Sequence, residues 1–424
     1  MRMLLRGGQV WEQDAFVPMD LLVEDGKVTG RGTGLSDAGC DRVFELDGLA
    51  VFPGFADVHV HLREPGFSYK ETIASGSRAA AHGGYTCVCA MPNLSPAPDD
   101  DGHLRQEEEL IARDAVIRVL PYASITKGQK GEGELVDFEA LAGRVCGFSD
   151  DGRGVKTSET MREAMRRCAA ADSIIAAHCE DLRLIPQGGV IHAGRYAEEH
   201  GIPGIPSSSE WEPIARDVQL CAETGCRYHV CHVSCHESLE VIRRAKRCGV
   251  DITCETGPHY LLLTEGDLRD EGRFKMNPPL RGKDDRRALL DALRDGTVDI
   301  IATDHAPHSA EEKARGLRGS AMGIVGIETC FPLLYTYLVE TGELPLGRLI
   351  HCLTEAPRQR FRLGGGLRLG DHAELTVFDL HTDEVIDPDT FLSQGRATPF
   401  EGWRVHAACR LTVCGDTVAY DGME

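Results

Sequence analysis

Long uncharged apolar runs are absent from this sequence. No segment of its 424 residues approaches the ~18–20 apolar residues that a membrane-spanning helix needs. The opening MRMLLRGGQV reaches Gly7 and Gly8 before the apolar core of a secretory signal can form. The expectation is a soluble, cytoplasmic chain with no membrane contact. Basic charge is scarce as well: 46 Lys+Arg stand against 67 Asp+Glu, a net charge of −21 before histidines. Such a surface does not neutralise a phosphate backbone, so no nucleic-acid partner is expected. Disorder is excluded, because 42% hydrophobic and 27% charged residues make a folding composition.

Cysteine is not scarce; there are 16. They are scattered through apolar runs, as at Cys87, Cys89 and Cys254, in a chain far too long for a disulfide scaffold, and read as reduced, buried small hydrophobes. The segment HVCHVSCHES (229–238) mixes Cys and His. At strand spacing its residues point to opposite faces, so they cannot all converge on one ion.

The first fifty or so residues alternate apolar and polar positions with turn punctuation: MLLRGG, VWEQDAFV, MDLLVEDGKV and RVFELDG. EDGK is a hairpin signal. From about residue 53 the character changes. Eight apolar runs follow: FADVHVHL (55–62), YTCVCAM (85–91), AVIRVLPYAS (115–124), RVCGFSD (144–150), SIIAAHC (173–179), RYHVCHVS (227–234), VDITCETG (250–257) and VDIIATD (298–304). Amphipathic stretches such as SETMREAMRRCAAA, ESLEVIRRAKRCG and DDRRALLDALRDG lie between them. Eight β-then-α units over roughly 300 residues predict a (β/α)8 TIM barrel across 53–363. The rival, an open doubly wound sheet, lacks its usual sequence marks, since neither G-x-G-x-x-G after the first strand nor a P-loop occurs. The tail from 364 is β-like again (AELTVFDL, WRVHAACRLTVCGDTVAYDG). Residues 1–52 and 364–424 are therefore expected to pair into one small composite β domain.

Active sites of such barrels lie at the C-terminal ends of the strands. The first run ends in His59 and His61, two apart and so on one face of a strand. A lone strand histidine is ordinarily a hydrogen-bonded core residue; the other strand ends argue against that here. The fourth ends in Asp150-Asp151, the fifth in His178, the sixth in His232 and the eighth in Asp304. Five strands deliver four histidines and at least two carboxylates to one mouth, the ligand types suited to Zn²⁺ and similar ions.

PGFADVHVHLREPG, MPN, GFSDDG, AHCED, GIPGIP, HVCHVS, KMNPPLR and ATDHAPH together resemble the amidohydrolase superfamily, and within it the bacterial class I dihydroorotases. The likeness extends over nearly the whole chain. HxH is common to the superfamily, whereas HLREPG, MPN, MNPPLR and DHAPH are more specific. The resemblance implies zinc, with His59 and His61 on one metal, His178 and His232 on a second, and Asp151 bridging; a one-metal state is the alternative. Asp304 is implied as ligand to the first metal and as catalytic base. Many superfamily members bridge with a carbamylated lysine on strand four; here the nearest, Lys156, lies five residues beyond Asp151. The implied reaction is the reversible cyclisation of N-carbamoyl-L-aspartate to dihydroorotate plus water, in pyrimidine synthesis.

Arg63, two beyond His61, faces the same mouth and suits a bidentate grip on the substrate carboxylate. The resemblance adds His61, Asn93, Asn277 and His308 to substrate recognition, and backbone groups near Met322 and Gly323 to the ring. It departs from the family at Leu94 after MPN, and at Gly257 and Tyr260 in CETGPHY. Three alternatives are other cyclic amidohydrolases: hydantoinase, dihydropyrimidinase and allantoinase. A fourth is a noncatalytic dihydroorotase-like partner of aspartate transcarbamoylase. The family implies at least a homodimer, and association with aspartate transcarbamoylase is a further expectation.

Overall fold

The structure is a computed structural model that describes residues 1–423. Eight parallel strands follow one another in chain order around a sheet: Phe55–Val60, Tyr85–Ala90, Arg118–Ala123, Gly147–Phe148, Ile174–Ala177, Arg227–Val230, Ile252–Thr256 and Ile300–Ile301. The two edges meet. Val60 bridges His305, and the His61 N–H donates to the His305 carbonyl at 2.8 Å. The Asp57 carboxylate accepts the Thr303 N–H at 3.1 Å and its hydroxyl at 2.6 Å. The result is the expected (β/α)8 barrel, in which closure leaves no exposed strand edge. Each residue of the first strand is buried, because one face lines the barrel and the other meets helices.

The outer helices follow the sequence periodicity. His236–Arg247 buries Ser238, Leu239, Ile242 and Ala245 at three-to-four spacing, and its last turn carries Arg244, Lys246 and Arg247, which suit the negative helix end. Lys283–Asp295 opens with Asp284 and Asp285 and stops at Gly296, left-handed at φ 83°. One element not foreseen is a small ribbon after the fifth strand, where Ile191–His192 pairs with Gly204–Ile205. It absorbs GIPGIP: a Cβ on Gly204 would lie 2.2 Å from the Ala193 Cα, so only glycine permits the approach. All sixteen thiols are free and most are buried. No helix among the described residues is long and apolar enough to cross a membrane.

Strands from both chain ends form one separate sheet, in the order Thr417–Asp421, Ala408–Cys414, Glu374–Asp379, Ala50–Pro53, Arg2–Glu12, Ala15–Glu24, Lys27–Gly32, with Arg42–Glu45 beside Arg2–Glu12. The EDGK turn is present. The strands before it are longer than the sequence punctuation implied, because Gly7-Gly8 makes a register shift inside Arg2–Glu12, not a turn. The turn falls at Gln13 and Asp14, both left-handed (φ 50° and 61°).

An aromatic cluster and a buried ionic cluster are among the contacts that join sheet and barrel. Phe52 and Phe378 from the sheet pack on Phe55 and Phe331 of the barrel, with Phe331 and Phe378 ring centroids 4.5 Å apart. Buried Glu374 accepts from Arg118 at 2.5 Å, Arg358 at 2.6 Å and Thr86 at 3.0 Å, three barrel residues on one carboxylate.

Glu107, on the helix Asp101–Asp114, is buried, and its Oε2 has no hydrogen-bond partner. Burial, and then the charge of Glu108, raise its carboxyl well above the usual range. A group protonated in the fold but ionised in the unfolded chain gives stability that is fully present below the unfolded pKa, about 4.3, and lost as pH rises from there toward the folded value. Glu107→Gln is therefore expected to match wild type near pH 4 and to be more stable at pH 8. The gap should grow by at most about 1.4 kcal/mol per pH unit. Urea unfolding of both proteins across pH 4–8 checks this; a constant gap would contradict it.

Candidate metal centre and substrate pocket

Six side chains foreseen at the strand ends come together at the barrel mouth, all buried. The Asp151 carboxylate is central. Its Oδ1 lies 3.5 Å from His59 Nε2, 3.5 Å from His178 Nδ1 and 3.6 Å from His232 Nε2; its Oδ2 lies 3.7 Å from His61 Nε2. Asp304 Oδ1 is 3.1 Å from His61 Nε2 and 3.6 Å from His59 Nε2. Donor atoms of His59, His61 and Asp151 fall within 4.8 Å of one another, as do those of Asp151, His178 and His232, so two triads share one carboxylate.

These spacings fit a metal. Two ligands at the usual zinc distances of ~2.0–2.2 Å and a tetrahedral angle are about 3.4 Å apart. His59 Nε2 and Asp151 Oδ1 are buried with no hydrogen-bond partner, which a folded protein rarely tolerates unless something else satisfies them. The electrostatics agree. Against burial, the nearby Asp151 and Glu180 carboxylates push His178 up to about 10. Against burial, His59 and the hydrogen bond from His61 hold the Asp304 carboxyl well below its ordinary range. The carboxylates here call for positive charge, whether protons or a metal, so metal affinity should weaken at low pH.

A second layer orients the imidazoles. Glu255, buried on the seventh strand, accepts from His59 Nδ1 at 2.7 Å and His229 Nε2 at 3.0 Å. That contact places the proton on His59 Nδ1 and leaves Nε2 facing Asp151. Glu180 accepts from His178 Nε2 at 3.4 Å and so turns Nδ1 inward. The sequence reading passed over both. The signal for Glu255 was available, as another carboxylate at a strand end, and AHCED displays Glu180 openly.

Asp150 does not join the centre. Its carboxylate accepts from Ile125 N–H, Thr126 N–H, the Thr126 hydroxyl and Gly131 N–H, organising the loop after the third strand. Lys156 reaches away to Glu132 at 2.7 Å on the surface. The amides of Asn93 and Gln129 both donate to the Asp151 carbonyl at 2.8 Å, which fixes that residue from behind; Asn93 Oδ1 is buried and unpartnered.

The pocket wall carries the other expected residues. Arg63 is buried. Its Nε donates to the Pro307 carbonyl at 3.2 Å and Nη2 lies 3.5 Å from His308 Nε2, yet it makes no ion pair with a carboxylate among the described residues. Burial lowers its pKa to about 10, with Asp304 and Asp151 opposing. His308 Nε2 donates to the Met322 carbonyl at 2.7 Å, and its Nδ1 accepts from Lys70 at 3.2 Å. Burial and then Arg63 and Lys70 bring His308 down to about 3, so it is a neutral imidazole. Asn277 Nδ2 donates to Glu180 at 3.0 Å, which links this wall to His178. Tyr260 supports the same loop by donating to the Pro278 carbonyl at 2.7 Å, and Gly257 leaves room for the His259 ring, whose Cε1 would lie 2.5 Å from a Cβ there. Arg63, His232 and Asp304 all hold left-handed backbone (φ 62°, 35° and 47°), a strain of about 1–3 kcal/mol each for non-glycine residues at functional sites.

Comparisons with known proteins agree with this geometry. A dihydro-orotase-like family model matches residues 48–238. Dihydroorotases of Geobacillus sp. (strain WCH70) and Macrococcus caseolyticus (strain JCSC5402) are 48% and 49% identical to this chain, each match covering 99% of both chains. Among solved structures, L-hydantoinase (dihydropyrimidinase) from Arthrobacter aurescens superposes with a TM-score of 0.87 at 26% identity, covering 99% of this chain and 96% of that one. Dihydropyrimidinase from Brevibacillus agri NCHU1002 also gives 0.87, at 21% identity, with 100% and 96% coverage, a likeness of fold alone. With near-complete overlap at close to half identity, the chain belongs to the dihydroorotase family.

Proposed function

We propose that this chain is a zinc-dependent cytoplasmic dihydroorotase that interconverts N-carbamoyl-L-aspartate and (S)-dihydroorotate plus water in pyrimidine biosynthesis. Family membership supports the reaction class. The observation that carries the substrate is Arg63, a buried guanidinium beside the centre with no carboxylate to pair it among the described residues. Burying such a charge unpaired is costly, and an anionic substrate relieves that cost. Hydantoinases share the fold, but a substrate without this carboxylate leaves Arg63 without a purpose, and no lysine stands at the Asp151 position. A silent partner of aspartate transcarbamoylase needs no ligands, and the gathering of four imidazoles and two carboxylates at the mouth supports a catalytic chain instead.

In this reading His59, His61 and Asp304 would hold one zinc and His178 and His232 the other, with Asp151 available to both. Bound zinc supplies a lowered pKa for the attacking water and polarisation of the scissile carbonyl. The Asp304 carboxylate accepts the water proton in the hydrolytic direction and returns it to the leaving ring nitrogen; cyclisation runs the same transfers in reverse. Arg63 grips the α-carboxylate through its terminal nitrogens, while His308, a neutral imidazole, Asn93 and Asn277 line the same pocket. On the family resemblance, the backbone of Met322 and Gly323 is the proposed surface for the ring. The functional unit is proposed to be a homodimer, on family resemblance, and association with aspartate transcarbamoylase is a further proposal for its assembly.

Three measurements test these roles. Asp304→Asn keeps the shape but cannot take the proton; turnover should fall by ~10²–10⁴, with zinc at the histidines largely retained. Near-normal turnover of the zinc-loaded variant would remove Asp304 as base. Asp151→Ala should lose more zinc than Asp150→Ala in elemental analysis, because only Asp151 lies among the four imidazoles. The reverse ranking would mean the other aspartate is the ligand. Arg63→Met should lower kcat/KM on dihydroorotate by roughly two to four powers of ten, from two charge-assisted bonds of about 1.5–3 kcal/mol each at ~1.4 kcal/mol per power. On dihydrouracil, which lacks the carboxylate, the low starting efficiency should change far less, and Arg63→Lys should restore only part. Equal proportional losses on the two substrates, at matched zinc content, would end the carboxylate-clamp reading.

A further inference from the structure

Lys313 is the last residue of the short helix Ala310–Lys313, in the segment that follows the eighth strand. Its side chain is buried, and it makes no ion pair with a carboxylate among the described residues. Instead Nζ donates to three backbone carbonyls: Gly323 at 2.6 Å, Ala321 at 2.8 Å and Lys275 at 3.1 Å. An ammonium has three donors and no acceptor, so this cage satisfies it completely. Burial, and then nearby Lys275, bring its pKa down to about 7.

The three carbonyls come from two loops. Residues 275–277 lead to Asn277. Residues 321–323 carry the backbone expected to meet the substrate ring. The Lys275 carbonyl also accepts the Gly323 N–H at 3.0 Å, so lysine and backbone fasten the same junction. The carbonyls of Ala321 and Gly323 both turn to Nζ, while the Met322 carbonyl between them does not. It receives His308 Nε2 at 2.7 Å. Gly323 holds φ 131°, open only to glycine, and a Cβ there would lie 2.7 Å from the Ala306 carbonyl oxygen. The loop is thus locked in one shape from two directions, and Lys313 reaches both strips of backbone.

We propose that Lys313 is a positioning residue for substrate recognition. Its carbonyl cage holds the Met322–Gly323 backbone and the Asn277 loop in the form that accepts the ring, and through Met322 it sets His308 toward the substrate. It touches neither the reacting atoms nor the ligand cluster. This inference rests on the dihydroorotase reading above.

The test is steady-state kinetics on dihydroorotate for wild type, Lys313→Met and Lys313→Gln, with zinc content and thermal midpoint measured on each. Methionine keeps the length but has no donor; glutamine keeps two N–H donors. Lys313→Met should raise KM by tenfold or more, lower kcat by a smaller factor and leave zinc content unchanged; Lys313→Gln should fall between it and wild type. Calorimetric binding of dihydroorotate in an Asp304→Asn background should weaken by a similar factor when Lys313→Met is added. If Lys313→Met does not fold, Lys313→Gln alone must still show a raised KM at unchanged zinc. An unchanged KM in a folded variant, or parallel loss of zinc and kcat, overturns the proposal. Wild type that fails to turn over dihydroorotate would overturn the functional reading itself, a different outcome from active wild type with unmoved KM.

Discussion

The barrel mouth is organised around one buried anion. The Asp151 carboxylate lies within 3.5–3.7 Å of four imidazole nitrogens delivered by three other strand ends. A carboxylate so far from water is untenable alone and equally untenable surrounded by neutral rings with idle lone pairs. Cations must enter, as protons or as metal, and the rest of the site prepares for them. Asn93 and Gln129 hold the Asp151 backbone, Glu255 and Glu180 turn His59 and His178 so that the correct nitrogen faces inward, and the strained backbone at His232 and Asp304 brings their side chains across.

The same scarcity of partners explains the pocket wall. In a chain with a net charge of −21, Arg63, Lys70, Lys275 and Lys313 collect beside the mouth. Lys70 pairs with Glu312 at 2.9 Å and Lys313 is caged by carbonyls, while Arg63 keeps its charge available. A local cationic field in an acidic protein attracts a small anion and discourages a polyanion. The two lysines also set geometry, one by fixing the tautomer of His308 and the other by fixing the backbone that His308 touches. Beneath the mouth, Glu374 with Arg118 and Arg358, and the Phe52–Phe55–Phe331–Phe378 cluster, tie the terminal sheet to the barrel. Removing one partner of such a buried ionic cluster commonly costs about 3–5 kcal/mol.

Local pattern alone pointed to the number and order of the barrel strands, the helix between most pairs, the pairing of the two chain ends, and the four histidines and the carboxylates at the strand ends. Each follows from periodicity, or from a polar residue standing where an apolar run stops. Tertiary structure decided what no spacing encodes. Gly7-Gly8 became a bulge because Arg2–Glu12 pairs through it with Ala15–Glu24, and GIPGIP became a strand of a ribbon. Of the adjacent aspartates, Asp150 turned to the amides of a loop and Asp151 to the imidazoles. Glu255 and Lys313 gained their roles from residues 196 and 38 positions away, across strands and loops. A side chain's own neighbours in sequence fix its strand and its face; whether it meets a proton donor, a carbonyl or an empty pocket depends on which distant backbone the closed barrel brings within about 3 Å.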